Sequence, residues 1–394
     1  MSQEDRIVAR VSQSSDLKSN NTALVLRSLF AYPHVSRQEL VRLTRLAPST
    51  VSKITSELIE RGLVRRAGNI GRNGAGRPAD ILMRNASACC AAAVHVTPDR
   101  SRIGIVDFGY TVLETREITF AAGFTEADTG GVVAAVRDVA ARYRAPSNLA
   151  AIVLALPNYP YNVASIHAQF QQAFEGTPVF HINNTEAMAI HDFYLRLGRQ
   201  LHTTAYVYVG TGIGSGFIIN GSLYRGVNGN ACDLGHMYMT DRPLACRCGR
   251  VGCLETVASE GAVARALAGH FGLDRPPVRD ELVEFVAQRL SQRDAFCEGL
   301  VQEAAEYLGS GLFNLVSITD PQRVVVAGRL TSLGLAYTSL VEGSYTKRAR
   351  RMSSIVPLEF VPVHDDSALV GGAMFSFLSL CCGGVQSAAV TADG

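Results

Sequence analysis

The apolar positions near the N-terminus of the chain recur at helical spacing in three successive segments. The first begins at Asn21, in NNTALVLRSLF, and the segment YPHVS breaks it. Ser36 with Glu39 three residues later forms a capping-box pattern, which predicts a second, short helix. A third helix is predicted from Pro48 and is expected to stop at Gly62, because proline suits the first helical turn and glycine suits the position after the last residue of a helix.

Three helices, the last two joined by a short connection, are typical of a helix-turn-helix, although an ordinary small helical bundle has the same pattern. The outward positions of the third helix carry short hydrogen-bonding groups and one cation at its N-terminal end, where a recognition helix contacts base edges. We therefore predict that this segment binds DNA through Ser49, Thr50, Ser52 and Lys53.

The segment after the third helix, LVRRAGNIGRNGAGRPADILMRN, predicts two strands, near Leu63–Arg66 and Ile81–Met83, joined by a glycine-rich basic loop. This pattern indicates a wing, with Arg72 and Arg77 near its tip. Because Pro78 keeps the chain extended after Arg77, the tip can enter a narrow A·T-rich minor groove. A linker between domains is the alternative interpretation.

Beyond Asn85 apolar runs alternate with helical patterns, which predicts an α/β domain. The segment VGTGIGSG lies between two β-rich runs rather than before a helix. It therefore predicts a hairpin that approaches a ligand, and it does not fit a Rossmann or Walker A loop. Buried strands are predicted in CCAAAVHV, RIGIVDF, LAAIVLALP, VFHI and RVVVAG, and helices near Gly131–Tyr143, Thr185–Gly198 and Ser367–Cys381.

The charge of the chain is unevenly distributed. The formal net charge of 394 residues is +2, yet residues 1–84 hold 14 Lys and Arg against 7 Asp and Glu, which leaves 23 against 28 for the rest. A locally basic end favours a phosphate-rich partner, although a solvated protein face also carries such charges. The N-terminal residues are too polar for a signal peptide and no apolar run is long enough for a membrane span, so we predict a cytoplasmic protein without a membrane partner.

Nine cysteines in a cytoplasmic chain favour metal ligands or buried thiols over disulfides. His236, Cys246, Cys248 and Cys253 form the pattern His-x9-Cys-x-Cys-x4-Cys, a Cys₃His set that suits tetrahedral zinc. Two glycines within the pattern let the chain turn tightly around an ion. Four protein ligands leave no open position on the metal, so the predicted zinc is structural. Merely buried thiols are the alternative.

The combination of VGTGIGSG, LGHM, the Cys-x-Cys-Gly-x-x-Gly-Cys-x-Glu pattern and the preceding helix-turn-helix resembles the ROK family of repressors, open reading frames and sugar kinases. The resemblance covers essentially the whole chain, and family members similar to this one bind zinc at the same four positions. It implies an actin-like, two-lobed α/β sensor domain over residues 85–394, behind a winged helix over residues 1–84. Lobe 1 is expected at about 85–198 plus the C-terminal helix, and lobe 2 at about 199–365.

The resemblance also implies a sugar site. The family uses an Asn-Asp pair, a Glu-x-Gly-His motif and a glutamate two residues after the last zinc cysteine. The matching positions here are Asn183, Asn184, Asp233, His236 and Glu255. Carboxylates, amides and an imidazole suit a polyol, whose hydroxyls both donate and accept hydrogen bonds. Each position has a structural alternative: the asparagine pair fits a turn, and Glu255 fits a helix start.

Two departures from the family pattern separate a regulator from a kinase. In the kinases the aspartate of the Asn-Asp pair takes the proton of the attacking hydroxyl, which the neutral Asn184 cannot do, and loss of a general base costs about 10²–10⁴ in rate. The first phosphate loop falls at HVTPD, where His95, Thr97 and Pro98 replace an aspartate and two glycines.

We therefore predict a sugar-responsive repressor that is not an enzyme and requires no nucleotide. Its expected partners are operator DNA, a sugar or sugar phosphate, and a second copy of the chain in a homodimer or higher oligomer. An active sugar kinase carrying a DNA-binding domain is the first alternative. A protein-interaction role with a dead pocket is the second.

Overall fold

The computed structural model describes residues 14–67, 80–121, 123–143, 148–157, 160–197 and 203–381. The N-terminal helices form as predicted. The Ser36 side chain accepts a hydrogen bond from the Glu39 backbone, and the Glu39 carboxylate accepts one from Ser36 N at 2.8 Å, which confirms the capping box. Gly62, at φ +69°, follows the third helix. The elements are α1 (Ser14–Ala31), β1 (Val35–Ser36), α2 (Arg37–Thr44), α3 (Pro48–Glu60), β2 (Val64–Arg66) and β3 (Ile81–Arg84).

The two predicted wing strands pair with each other, and a third strand joins them. The sheet order is β1-β3-β2, with Val35 opposite Leu82 and Val64 opposite Arg84. The predicted helix-turn-helix and wing strands are therefore confirmed as structure, and the first helix is longer than predicted because it begins at Ser14 instead of Asn21. β1 was not predicted, since two residues are too few to show an alternating pattern.

The rest of the chain builds two five-stranded sheets with the same plan. The first has the order β6-β5-β4-β7-β8 and the second β11-β10-β9-β12-β13, so each combines a three-stranded antiparallel meander with two parallel strands. The first comprises β4 (Cys90–Val96), β5 (Arg100–Asp107), β6 (Val112–Thr119), β7 (Leu149–Ala155) and β8 (Val179–Ile182). The second comprises β9 (Thr204–Val209), β10 (Ile213–Ile219), β11 (Ser222–Tyr224), β12 (Arg323–Gly328) and β13 (Leu358–Val361).

Helices cover both sheets and separate them. VGTGIGSG contains the end of β9, a tight turn at residues 210–212 and the start of the antiparallel strand β10, which confirms the predicted hairpin. The helices of the first lobe are α4 (Thr129–Arg142), α5 (Val163–Ala173) and α6 (Asn184–His191), and those of the second are α7 (Glu255–Ala258), α8 (Glu260–Phe271), α9 (Asp280–Ser291), α10 (Ala295–Thr319) and α11 (Leu335–Ala349), followed by α12 (Ser367–Cys381).

Helix α6 is held tightly between α12 and the second sheet. A Cβ at Gly371 of α12 would overlap the carbonyl of Ala187, and a Cβ at Gly216 of β10 would lie 2.7 Å from the Cβ of Ala189. Glycine at these two positions therefore lets both neighbours approach the α6 backbone. The helix predicted near Thr185–Gly198 is right in extent as far as Leu197 but not in type, because it widens into a π-helical turn over Asp192–Leu197. Gly198 lies outside the described residues.

The winged helix and the first lobe share one apolar core. Phe30 of α1 is buried and packs edge-to-face against Phe108 and Tyr110 of the first lobe, with ring centroids 6.2 and 5.0 Å apart. The second lobe has a separate core between its sheet and helices α8 to α11. None of the helices in the described part of the chain combines the length and the apolar character that crossing a bilayer requires.

Candidate metal centre and ligand cleft

The four predicted metal ligands lie together in the second lobe. Their donor atoms are all within 4.8 Å of one another. The Sγ atoms of Cys248 and Cys253 are 3.7 Å apart, and Cys246 Sγ lies 3.4 Å from His236 Nδ1. Zinc in a tetrahedron of bonds near 2.3 Å requires sulfur atoms about 3.8 Å apart, so these side chains fit that ion.

The backbone around this cluster folds as the glycines predicted. Gly249 and Gly252 have φ of +85° and +73°, values that other residues rarely adopt. They let the segment reverse so that Cys246 N donates to Arg250 O at 2.8 Å. No two cysteines in the described ranges are joined by a disulfide bond.

A cleft of about 760 Å³ opens between the two lobes next to the metal ligands. The structure brings all five residues of the implied sugar site to its wall: Asn183, Asn184, Asp233, His236 and Glu255. Asn183 and Asn184 come from the start of α6 in the first lobe, and the others come from the second lobe. A ligand held by this set would therefore touch both lobes. Sugar binding by these residues stays a prediction.

The asparagine pair has a structural role as well. Asn183 is the N-cap of α6: its Oδ1 accepts a hydrogen bond from Thr185 N at 2.9 Å, while the Glu186 carboxylate accepts one from Asn183 N at 3.1 Å. Asn184 Oδ1 also lies 2.9 Å from Thr185 N. A side chain that contacts a ligand here is thus part of the first turn of α6.

Glu255 begins α7 and meets an arginine that the sequence did not single out. Arg247 contacts its carboxylate with both Nε and Nη2, at 3.2 and 3.0 Å. Burial opposes ionisation of Glu255, but the attraction and hydrogen bonds of Arg247 outweigh it and keep the pKa of the carboxyl below its usual value. The only available signal for Arg247 was its place between two metal-ligating cysteines.

The far end of the cleft contains the segment HVTPD as the turn between β4 and β5. Thr97 N donates to Arg100 O at 2.8 Å, and Thr97 Oγ1 donates to the Asp99 carboxylate at 2.8 Å. Asp99 forms an ion pair across the cleft with Arg279 of the second lobe, at 3.0 Å. Burial, aided by Arg100, lowers the pKa of His95 to about 4. The imidazole is therefore neutral at physiological pH and does not replace a carboxylate.

Glu260 is a further cleft residue that no motif indicated. It lies in the first turn of α8, where its carboxylate accepts a hydrogen bond from the backbone N–H of Arg329. Burial raises its pKa to about 7, and the hydrogen bond and charge of Arg329 only partly oppose this shift.

The predicted DNA-contacting positions of α3 lie mostly on its solvent side. Ser49, Ser52 and Lys53 are exposed and Thr50 is half-buried, whereas the opposite face of the helix packs into the core. Contact of these side chains with DNA stays a prediction.

The loop between the wing strands holds the two predicted arginines, Arg72 and Arg77, which lie outside the described residues. At the base of this loop Asp80 pairs with Arg37 at 3.3 Å and with Arg66 at 3.7 Å. Arg37 also donates to Thr55 of α3 at 2.9 Å, so the base of the wing and α3 are connected.

Comparison with known proteins gives a consistent match over the chain. The ROK family profile matches residues 132–377. The chain is 25% identical over 356 residues to the putative xylose repressor of Caldicellulosiruptor sp. strain Rt8B.4, a match that covers 84% of this chain and 89% of that protein. It is 24% identical over 359 residues to the DNA-binding transcriptional dual regulator NagC of Escherichia coli K12, which covers 86% and 88%.

Two solved structures show the same fold. A ROK family transcriptional regulator, described as a homolog of the E. coli MLC protein, superposes with a TM-score of 0.71 at 23% identity, over 94% of this chain and 98% of that one. A ROK family glucokinase from Streptomyces griseus, in complex with glucose and AMPPNP, superposes with a TM-score of 0.60 at 22% identity, over 73% and 98%. These similarities confirm the predicted two-lobed, actin-like α/β fold.

Proposed function

Since the chain belongs to the ROK family, we propose that it is a sugar-responsive, DNA-binding transcriptional regulator that represses genes of carbohydrate uptake or catabolism. One observation carries this proposal: a winged helix packs on a kinase-like lobe and shares its apolar core. The cleft beside that lobe contains the amide of Asn184, at the position where the family's kinases have an acid. Repressors and regulators such as the xylose repressor and NagC match more than four fifths of the chain, which supports it.

The ligand is a sugar or sugar phosphate bound between the lobes. The amides of Asn183 and Asn184 can both donate to and accept from hydroxyls, and the carboxylates of Asp233 and Glu255 accept from them. His236 adds a polar ring beside these groups. Because the asparagines belong to the first lobe and the rest to the second, binding favours one angle between the lobes.

The metal is a structural zinc held by His236, Cys246, Cys248 and Cys253. Zinc with four protein ligands supplies a cross-link and no reactive position. This cross-link joins His236 to the loop that ends at Glu255, so two of the proposed sugar ligands are fixed relative to each other. The ion thus shapes the ligand site without taking part in any reaction.

The cleft binds without catalysis. Asn184 has no basic site for the proton of a sugar hydroxyl. In the loop between β4 and β5, Pro98 has no N–H to offer to a phosphate, and Asp99 is engaged by Arg279. Two separate requirements of phosphoryl transfer are therefore missing, and no nucleotide is required.

In the proposed complex α3 enters the major groove, so that Ser49, Thr50, Ser52 and Lys53 face base edges and phosphates. Arg72 and Arg77, which were predicted from the sequence to lie near the wing tip, then contact the DNA beside or within the minor groove. A homodimer in the cytoplasm would present two such helices at a separation that depends on the lobe angle of each protomer.

The test uses a panel of D-xylose, N-acetyl-D-glucosamine and D-glucose, chosen from the ligands in the names of the similar proteins. Thermal shift of the zinc-loaded protein detects binding, and duplexes selected by the protein from a random pool measure DNA affinity with and without each sugar. We expect at least one sugar, or its phosphate, to raise the melting temperature and to change duplex affinity.

A coupled assay for ADP release is run on the same samples. Sugar-dependent ADP release at a steady rate would contradict the proposal and favour an active kinase. The absence of both sugar binding and duplex selection would favour a protein-interaction role.

A further inference from the structure

Helix α6 and its π-helical extension connect the cleft to the winged helix. The first turn of α6 is capped by Asn183 at the wall of the cleft, and the π-helical turn at the other end includes the buried residue Tyr194. Rigid secondary-structure elements can carry coupling between sites, and π-helical turns occur frequently at functional sites. The two ends of one element therefore face the ligand site and the DNA-binding domain.

Tyr194 links its own helical extension in the first lobe to the second lobe and to the winged helix. Its Oη donates to the carbonyl of Gly221 at 2.7 Å, in the turn between β10 and β11 of the second lobe. Its ring lies edge-to-face against Phe30 of α1, with centroids 6.1 Å apart and an interplanar angle of 86°. Its backbone belongs to the α6 extension in the first lobe.

The winged helix is firmly held at the point that Tyr194 contacts. Arg84, the last residue of β3, donates to the carbonyls of Leu29 and Phe30 at 3.3 and 3.1 Å, and its guanidinium lies 4.1 Å from the ring centroid of Tyr110. The end of α1 and the wing are thus fastened to the same aromatic cluster. A displacement of that cluster moves the winged helix as a unit.

A second contact ties α6 to the same hairpin. Arg225, directly after β11, pairs with Glu186 of α6 at 3.1 Å; the Glu186 side chain is buried and that of Arg225 is partly buried. Glu186 in turn completes the capping box of Asn183. The hairpin of the second lobe therefore contacts α6 near the cleft and Tyr194 near the winged helix.

We propose that Tyr194 is the positioning residue that couples the lobe angle, and hence ligand occupancy, to the orientation of the winged helix. A change in lobe angle moves Gly221 relative to Phe30. Because Tyr194 contacts both, its contacts favour one angle over another, and a ligand that selects an angle also selects a position of α1. This inference rests on the proposed function, since it requires both a ligand and DNA.

The decisive variant is Tyr194→Phe, which removes the hydrogen bond to Gly221 and keeps the ring against Phe30. The matched control is Tyr345→Phe: Tyr345 is also buried and donates to a backbone carbonyl, that of Val356 at 3.0 Å, but both residues belong to the second lobe. Each variant loses one hydrogen bond of a tyrosine hydroxyl. Only Tyr194→Phe loses a hydrogen bond that joins the two lobes.

The measurement is the affinity for the duplex that the wild type selects, with and without the panel sugar that stabilises the wild type most. Couplings between sites typically change affinity by about 5- to 150-fold, and one neutral hydrogen bond accounts for about 2- to 10-fold. We expect Tyr194→Phe to reduce the sugar-induced change in duplex affinity by about 2- to 10-fold. Zinc content and the sugar-induced shift in melting temperature should stay near those of the wild type, and Tyr345→Phe should keep the full response.

An unchanged sugar-induced change in duplex affinity in Tyr194→Phe would overturn the inference and leave the proposed function intact. The same conclusion would follow if Tyr345→Phe lost as much of this response as Tyr194→Phe. A wild type that responds to no sugar would overturn the proposed function and the inference together. Should Tyr194→Phe fail to fold, Phe30→Leu removes the ring contact and keeps the hydroxyl of Tyr194. It is measured in the same way, and the same outcomes apply.

Discussion

Glu260 offers a quantitative test of the cleft as the structure describes it. The residue is 7% exposed, and its carboxylate faces the backbone N–H of Arg329. Burial raises its pKa from 4.5 to about 7, in spite of the opposing hydrogen bond and charge of Arg329. The informative change is Glu260→Gln, which keeps the size of the side chain and an oxygen acceptor for the Arg329 N–H but cannot ionise.

The direction of the effect follows from the two pKa values. Between pH 4.5 and about 7 the folded protein keeps a proton on Glu260 that the unfolded chain releases. Stability from this group is therefore fully present below pH 4.5 and is lost as the pH rises through about 7. Each unit of difference between the folded and unfolded pKa corresponds to about 1.4 kcal/mol. The free energy of unfolding of the wild type therefore falls by about 3 kcal/mol in total over this pH range.

The assay is urea unfolding of wild type and Glu260→Gln at pH 5 and pH 8. We expect the free energy of unfolding of the wild type, relative to that of the variant, to fall by about 2–3 kcal/mol from pH 5 to pH 8. The variant escapes this loss because it has no carboxyl to ionise at this position. Glu281→Gln is the control: Glu281 is exposed and pairs with Arg275 at 2.9 Å, so its replacement should leave the pH dependence of stability nearly unchanged. A stability difference between wild type and Glu260→Gln that is the same at both pH values would refute the assigned pKa.

Three further predictions concern the metal, the DNA and the sugar. Cys248→Ala or Cys253→Ser should lower zinc from about one ion per chain to nearly none and reduce stability, as metal analysis and thermal unfolding would reveal; full zinc in both would contradict the ligand assignment. Lys53→Ala should weaken binding to the selected duplexes in general, whereas Arg77→Ala should weaken binding most to duplexes with A·T-rich flanks. Titrations of duplexes with swapped flanks distinguish these two effects. An equal loss of affinity on all flanks would show that Arg77 contacts phosphates only. Asn184→Asp should leave sugar affinity by calorimetry within about tenfold and create no sugar-dependent ADP release, because the loop between β4 and β5 still positions no nucleotide; turnover by the variant would contradict this.

Local sequence signals predicted the winged helix well. The capping box at Ser36, the proline at the start of α3 and Gly62 after it each act within a few residues, so they are visible without the fold. Strand β6 was missed because it alternates half-buried and exposed residues at a sheet edge and has no apolar run. The joint between the winged helix and the first lobe was also missed. It depends on Arg84 and Phe30 meeting residues far along the chain.

Only part of the candidate site could be predicted from the sequence. The metal ligands were predictable because the spacing of His236 and the three cysteines lies within one short segment. The sugar residues came from the family resemblance. Arg247, Glu260 and Arg279 were not predicted, because their importance depends on the groups that the fold brings next to them. These are Glu255 for Arg247, the backbone N–H of Arg329 for Glu260 and, across the cleft, Asp99 for Arg279.

Asn184 begins α6 at the position where the family resemblance implies an acid in the kinases, and this exchange would have a physical consequence beyond the loss of a base. An aspartate in a first helical turn gains about 0.3–1 kcal/mol from the helix dipole, and an asparagine gives up that charge term. It keeps a polar side chain, whose Oδ1 lies 2.9 Å from Thr185 N, but the capping hydrogen bond of α6 is the one that Asn183 Oδ1 accepts from the same N–H. The capping box of Asn183 and Glu186 therefore keeps the N-terminal hydrogen bonds of α6, while under the proposed function the cleft would have no group for proton transfer. A sugar that competes for the amides of Asn183 or Asn184 would act directly on the first turn of α6, whose other end contacts Phe30 through Tyr194. In such an arrangement binding energy that a kinase would use for catalysis is available to shift the winged helix.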